Sequence, residues 1–314
     1  MPVRVAIGLL RDSAGRVLIS LRAADVHLAG MWEFPGGKCE PGEPGREALQ
    51  RELREELGIE VLSASEILVI PHAYPERSVE LRVFRVDAWQ GEVTPAEGQP
   101  TRWAAPGELL RLRFPEASRA IVNAARLPGF YLISPEPRSP REIDAEVRRI
   151  DRRLARGGIG LLQIRAPGLE QAPFLDYARA LLASAERHGA EVLVNAPGAW
   201  LDHLPPTIGW HLTERRLRSL SSRPGCAGWL AASVHDREGL ERACSLPVDF
   251  VVAGPVLRTQ THPEAEPIGF RGFADLRARA ACPVFALGGL TPAHLPMVRE
   301  AGGQGIAAIR GLLD

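Results

Sequence analysis

Along the first 127 residues, apolar positions fall in short, mostly alternating runs. "VRVAIGLL" (3–10), "RVLISLR" (16–22), "EILVI" (66–70) and "VELRVFRVDAW" (79–89) are rich in β-branched and aromatic residues and read as strands. Between the second and third runs the period lengthens. Leu49, Leu53 and Leu57 recur every fourth residue, which predicts a helix from near Pro44 to Gly58. A second helix is expected over Glu116–Ala125, ahead of the Pro and Gly of "RLPGF" (126–130). Strands interrupted by few helices, in this irregular order, predict an α+β domain.

From Phe130 the pattern changes. "FYLIS", "GLLQIR", "EVLVN", "GWHL", "WLAAS", "DFVVAG", "PVFALGG" and "GIAAIR" are apolar almost throughout, and helical patterns such as "EIDAEVRRIDRRLAR" separate most of them. Strands without alternation suit a parallel sheet covered on both faces. Eight such units close into a compact (β/α)8 TIM-type barrel with some very short helices, an open sheet being the alternative. The expected domains are therefore residues 1–128 and 129–314.

A length of 314 residues suits two domains. Lys plus Arg and Asp plus Glu both number 38, a balance that favours neither nucleic acid nor a membrane surface as partner. No apolar run is long enough to span a bilayer, and the N-terminal stretch reads as a strand pair rather than a signal peptide. Cys39, Cys226, Cys244 and Cys282 show no metal-type pairing and are expected to be free thiols in the cytoplasm.

The first helix carries the chemistry. Glu52, Glu55 and Glu56 cluster on a face beside the leucine stripe, with small Ala48 among them. Like charges at i,i+4 repel by about 0.2–0.5 kcal/mol in an isolated helix. An Arg/Glu-rich helix is ordinarily a solvated face, but clustering beside a buried stripe makes sense where a hard divalent cation binds oxygen ligands. The surrounding pattern favours the cation. Gly37, Glu43, Arg51, Glu52, Leu53, Glu55, Glu56, Gly58 and Ile59 occupy every fixed position of the Nudix box, so the domain resembles the Nudix hydrolases. That resemblance implies a mixed sheet between helices and a loop–helix–loop holding Mg²⁺, with Mn²⁺ as a substitute. It implies Gly37 (through its carbonyl), Glu52, Glu55 and Glu56 as metal ligands, Arg51 as the group that orients a box carboxylate, and Glu43 as support for the loop. Glu52 is the first choice for the proton acceptor, with several acids competing for that role.

The flanks narrow the match. "ISLRAADVHLAGMWEFPGGKCEPGE", "YPERSVEL" and "EGQP" followed by Trp103 resemble the MutT-type branch, which hydrolyses 8-oxo-dGTP to 8-oxo-dGMP and pyrophosphate. By that likeness Glu97 is an additional metal ligand, Lys38 and Arg77 lie near the nucleotide, and Arg22 and Phe34 lie close to the base. The branch reads the base with an Asn where this chain has Ser118. A hydroxyl cannot span two base atoms as an amide does, so selectivity for the oxidised base is expected to be weaker.

In the second half, "YLISPEP", "GLLQIRAP", "EVLVNAPGAWLD", "GWHLT", "VAGPVLRTQTHP" and "FALGGLTPAHL" fall in the order of the thiamine monophosphate synthase and thiazole tautomerase superfamily, which this half resembles. Gln163, Arg165, Asn195, Thr259, Thr261, Gly288 and Gly289 match its ligand site. The acid and lysine expected after "QxR" are Ala166 and Pro167. Ala196 and Pro197 follow Asn195, His262 replaces a loop lysine, and Pro255 stands at the tautomerase histidine position. Gly288 and Gly289 either let backbone N–H groups approach a phosphate or simply terminate a strand. Three readings follow. The chain is a nucleoside triphosphate hydrolase whose barrel binds a phosphate or thiamine-related ligand or only stabilises, a bifunctional thiamine-pathway enzyme, or a sensor that only binds. The complete box argues against the last, and the missing barrel groups argue against the second.

Overall fold

The structure, a computed structural model, describes residues 2–22, 28–96, 98–259 and 264–313. The chain divides into two compact units, Met1–Arg126 with Arg277–Pro283, and Leu127–Leu276 with Val284–Asp314.

In the first unit, strands β1 (Val3–Leu10), β2 (Val17–Leu21), β3 (Trp32–Glu33) and β4 (Gly36–Lys38) precede helix α1 (Gly45–Leu57). Strands β5 (Glu60–Ala73), β6 (Ser78–Gln90) and β7 (Thr101–Ala104) and helix α2 (Arg119–Arg126) follow. One sheet has the order β4-β1-β6-β5, mixed because β1 runs parallel to β6 and antiparallel to β4; the other has the order β3-β2-β7. Alternation on β1 divides the core between the sheet's two faces. Ala6 and Leu10 pack with Leu49, Leu53 and Leu57 of α1, while Ile7 and Leu9 pack with Ile121 and Ala125 of α2. The expected mixed sheet between helices is observed. Helix α1 starts after Pro44 and ends at Gly58, as the leucine spacing predicts. The second helix differs from expectation in its first turn, since Glu116–Ser118 is a 3-10 turn and α2 begins at Arg119. Ser118 therefore sits on a tight turn whose N–H donates to Pro115 O at 2.9 Å.

The second unit is a closed barrel of eight parallel strands, which removes the open-sheet alternative. The strands are β8 (Phe130–Ile133), β9 (Leu161–Ile164), β10 (Glu191–Val194), β11 (Gly209–Leu212), β12 (Leu230–Val234), β13 (Phe250–Ala253), β14 (Val284–Leu287) and β15 (Gly305–Ala308). Pairing of β15 with β8, Ile306 opposite Phe130 and Ala308 opposite Leu132, completes the ring. Tyr131, Phe250 and Phe285 fill the interior with ring centroids 5.3–5.9 Å apart, so the barrel is a packed core.

The crossover helices are α3 (Ile143–Ala155), α4 (Gln171–Arg187), α5 (Gly198–Leu201), α6 (Glu214–Ser219), α7 (Arg237–Ser245), α8 (Gly269–Arg277) and α9 (Leu295–Glu300). They are unequal: α4 has 17 residues, α5 four and α6 six. Helices α3 and α4 are tied by Asp151, which accepts from Ser184 Oγ at 2.7 Å and Arg187 Nη2 at 2.6 Å. These donors, with His188, lower its pKa to about 2. No described helix is long and apolar enough to cross a membrane, and all four cysteines are free thiols.

Candidate active site and barrel cavity

Strand β4 and helix α1 meet where the acidic residues lie. Pairing of Gly37 with Ala6 sets the β4 backbone against α1. A Cβ on Gly37 would fall 2.2 Å from both Cδ and Oε2 of Glu52, so only glycine lets the backbone approach that carboxylate. Gly36 N–H donates to Glu56 Oε2 at 3.1 Å. Glu52 and Glu56 are thus half-buried against β4; the Glu52 side chain keeps 16% exposure, against 57% for Glu55. The acidic face is not an ordinary solvated one.

Arg51 organises the carboxylates. Its Nε and Nη2 donate to the two oxygens of Glu43 at 3.0 Å each, a bidentate pair. Its Nη1 donates to Glu52 Oε1 at 2.8 Å and Glu55 Oε2 at 3.4 Å, and Nη2 also reaches Lys38 O at 3.0 Å. Arg4 Nη2 donates to Glu43 O at 2.9 Å, and Glu43 Oε2 accepts from the Glu40 N–H at 2.7 Å. The Arg51 hydrogen bonds hold the Glu43 carboxyl below its usual range, and the bonds that Glu43 and Glu52 accept push Arg51 further up.

Among the described residues, no three His, Cys, Asp or Glu side chains are gathered closely enough to hold a metal ion as they stand. The donor set still fits a hard cation. Glu52 and Glu56 present carboxylate oxygens beside a backbone that only glycine can form, and Glu55 lies on the same helix face. Glu97 lies outside the described residues.

Gly37 and Lys38 also line a cavity of about 240 Å³. It gathers Arg22, Phe34, Arg77 and Ser118, so all five residues expected at the nucleotide share one space. Phe34 is buried and stacks on Phe114 with ring centroids 5.3 Å apart. Glu33, Tyr74 and Pro115 also line it and were not singled out by the sequence. Arg22 forms an ion pair with Glu33, whose carboxyl burial pushes up against the opposing effect of Arg22. The run "WEFPGG" carried the signal for Glu33: an acid between two aromatics, Trp32 and Phe34, on a half-buried strand.

At the C-terminal ends of the barrel strands lies a cavity of about 880 Å³. Gln163, Arg165, Asn195, Thr259 and Gly288 line it, as the resemblance implies. Gly289 lines an adjoining space of about 260 Å³ with Arg258 and Arg310, and Thr259 and Gly288 border both. Thr261 and His262 lie outside the described residues. At the other altered positions, Ala166 and Ala196 are buried, so no carboxylate or ammonium stands there.

Sequence reasoning named Gln163 but missed the residues bonded behind it, Tyr131 and His211, and the lining residues Ser233 and His235. Gln163, 2% exposed, donates from Nε2 to Tyr131 Oη at 3.2 Å. Tyr131 has one proton, and His211 Nδ1 lies 3.2 Å away to accept it; the reverse order would leave the buried phenol proton without an acceptor. His211 then carries its proton on Nε2 and donates to Ser233 Oγ at 2.9 Å. Burial and the nearby Arg165 push the His211 pKa down to about 3, so the ring is neutral, while burial pushes the Tyr131 hydroxyl up. At the rim, His235 Nδ1 and Gly254 O are 2.6 Å apart, which leaves Nε2 3.8 Å from Glu214 Oε2. Each of these residues lies on or just after a strand, the one signal that could have found them.

Comparison with known proteins agrees with both halves of this picture. The NUDIX domain family matches residues 6–124, and the thiamine monophosphate synthase family matches residues 130–312. The 8-oxo-dGTP diphosphatase of Escherichia coli K12 is 37% identical over 120 residues, 38% of this chain and 93% of that protein. The CTP pyrophosphohydrolase of the same organism is 37% identical over 120 residues, 38% of this chain and 87% of that protein. The thiamine-phosphate synthase of Thermus thermophilus is 34% identical over 182 residues, 57% of this chain and 86% of that protein. The fold and site define a hydrolase of pyrophosphate bonds joined to a synthase-type barrel. The chain belongs to the Nudix hydrolases through its first half and to the thiamine monophosphate synthase family through its second.

Proposed function

We propose that the first domain, residues 1–128, hydrolyses a nucleoside triphosphate to a monophosphate and pyrophosphate, with 8-oxo-dGTP as the favoured substrate. One observation carries this reading: Gly37 and Lys38 belong both to the acidic site of α1 and to the wall of the nucleotide cavity. Glu52, Glu55, Glu56, Glu97 and the Gly37 carbonyl would hold Mg²⁺, which neutralises phosphate oxygens and acidifies a water when bound. The chain's own groups do the rest. Lys38 and Arg77 take the phosphates, Phe34 and Arg22 flank the base, and Ser118 faces its edge. Glu52 accepts the proton of a water attacking the β-phosphorus, the bond from that phosphorus to the α–β bridging oxygen breaks, and the monophosphate leaves. Arg51 holds Glu52 in orientation through Nη1.

The barrel, residues 129–314, is proposed to bind a phosphate-bearing or thiamine-related ligand without synthase activity. Its residues do not fit the metal and ammonium that diphosphate departure needs, because Ala196 and Pro167 stand in their places. Free thiols suit a cytoplasmic setting.

The test is a panel of nucleoside triphosphates, 8-oxo-dGTP and dCTP included, given to the full chain with Mg²⁺ and followed by ³¹P NMR. Monophosphate and pyrophosphate are the expected products. Glu52→Gln keeps shape but not charge, and is expected to lower kcat by about 10²–10⁴-fold with the thermal midpoint unchanged. Near-normal turnover in that variant would remove Glu52 from the chemistry.

A further inference from the structure

Beside the barrel cavity stands a cation that no carboxylate answers. The resemblance expects a metal-binding acid directly after Asn195, and Ala196 offers no side-chain oxygen there. Its backbone carbonyl is already engaged. Arg216 Nη1 donates to Ala196 O at 2.7 Å and Trp210 Nε1 donates to the same oxygen at 3.1 Å, so both lone pairs of that carbonyl are used. The guanidinium also lies over the Trp210 ring, 5.8 Å from its centroid, a second contact that holds it in place. Asn195, next to Ala196, and Thr213, whose Oγ1 accepts from the Arg216 N–H at 3.3 Å, both line the cavity. Arg218 on the same helix is neutralised by Glu214 at 2.9 Å and Glu238 at 3.1 Å, whereas among the described residues Arg216 meets no carboxylate. Arg216 is half-buried, and burial, together with Arg215, works against its charge. Of the five N–H donors in its planar fork, one reaches a protein acceptor, which leaves an edge of the fork for an anion.

We infer that Arg216 is a built-in cation of the barrel and takes the phosphate oxygens of its ligand without a metal ion. This rests on the phosphate-bearing ligand proposed above and adds the group that holds it. A hard divalent ion needs oxygen ligands, and this corner of the cavity has lost the acid and committed the carbonyl to two N–H donors. A guanidinium needs no such ligands, and its fork matches two oxygens of one phosphate. The exchange replaces a divalent charge by a fixed single one. That suits holding a phosphate and falls short of absorbing the charge of a departing diphosphate, in line with a barrel that binds without synthesis.

Calorimetric titration of the full chain with inorganic pyrophosphate tests this, once with EDTA and once with Mg²⁺. Saturable binding is expected in EDTA. Arg216→Gln, with folding checked by circular dichroism, is expected to weaken that binding by about tenfold or more, and Arg216→Lys, which keeps the charge, to recover part of the loss. Metal-free binding that Arg216→Gln leaves unchanged, even with a lowered thermal midpoint, would mean that Arg216 only ties α6 to the loop after β10, and the inference fails. Binding that appears with Mg²⁺ and vanishes in EDTA would overturn it whether or not the variants fold, while leaving a phosphate-binding barrel in place. Absence of binding under both conditions would sink the phosphate reading of the barrel and this inference together.

Discussion

Ser118 lies in the cavity with a side chain shorter than the amide found at this position in the MutT-type branch. A hydroxyl has one donor and can accept, whereas an amide presents donor and acceptor on separate atoms. Restoring that pair with Ser118→Asn is expected to raise the preference for 8-oxo-dGTP over dGTP by about tenfold or more, read as a ratio of kcat/KM values. An unchanged ratio would place Ser118 away from the base. Arg51 and Ser118 also show which residues the sequence displays. Arg51 sits at a fixed spacing from the acids it binds, so its role is written in the chain. Glu33 reaches Arg22 across eleven positions and a strand turn, and that pairing becomes visible only when β2 and β3 lie side by side.

At the scale of elements, the α1–β4 junction is the critical one. Gly37→Ala would drive a methyl group into the Glu52 carboxylate, which must then swing away from β4. Displacing a catalytic group by about 1 Å can lower a rate by roughly 10²-fold, so kcat is expected to fall by that order with little change in thermal midpoint. Full activity in Gly37→Ala would show that the close approach does not position Glu52. Helix α1 was legible because three leucines at four-residue spacing leave few alternatives. Strands β3, β4 and β7, of two to four residues, are too short to show a period, and β4 consists of two glycines and a lysine. Strand β5 was read only over its apolar middle, because register shifts between Val61 and Leu68 break the alternation. The first turn of the second helix tightened to 3-10 where Pro115 precedes it, a local choice that apolar spacing does not encode.

For the whole molecule, the chain divides into two compact units, each with its own core. The eight apolar runs were compatible with an open sheet as well as a barrel, since both cover each strand on two faces; only the β15–β8 register decides between them. The missing barrel groups were legible as substitutions, whereas the Gln163–Tyr131–His211–Ser233 chain was not, because its members come from four strands. Given both substrates of the thiamine monophosphate synthases and Mg²⁺, the full chain is expected to form product at a rate lower by thousands-fold or more than an enzyme of that kind. Loss of a metal site and a cation removes several kcal/mol of transition-state stabilisation. Turnover at an ordinary enzymatic rate would restore the bifunctional reading.

The unequal crossover helices make the barrel cavity soft on one side. A helix of four residues, such as α5, or six, such as α6, has almost no stability of its own and holds shape only while its neighbours do. The arc from β10 to β12 is therefore expected to open locally at a lower free energy than the arc backed by α3 and α4. The adjoining arc from β8 to β10 is backed by α3 and α4, long helices laced together at Asp151. Asn195, Thr213 and Glu214 are carried by the yielding arc, whereas Gln163 is anchored in the barrel floor. A ligand entering this cavity would thus meet one wall that breathes and one that does not, and adjustment to its shape would fall on the side where the covering helices are shortest.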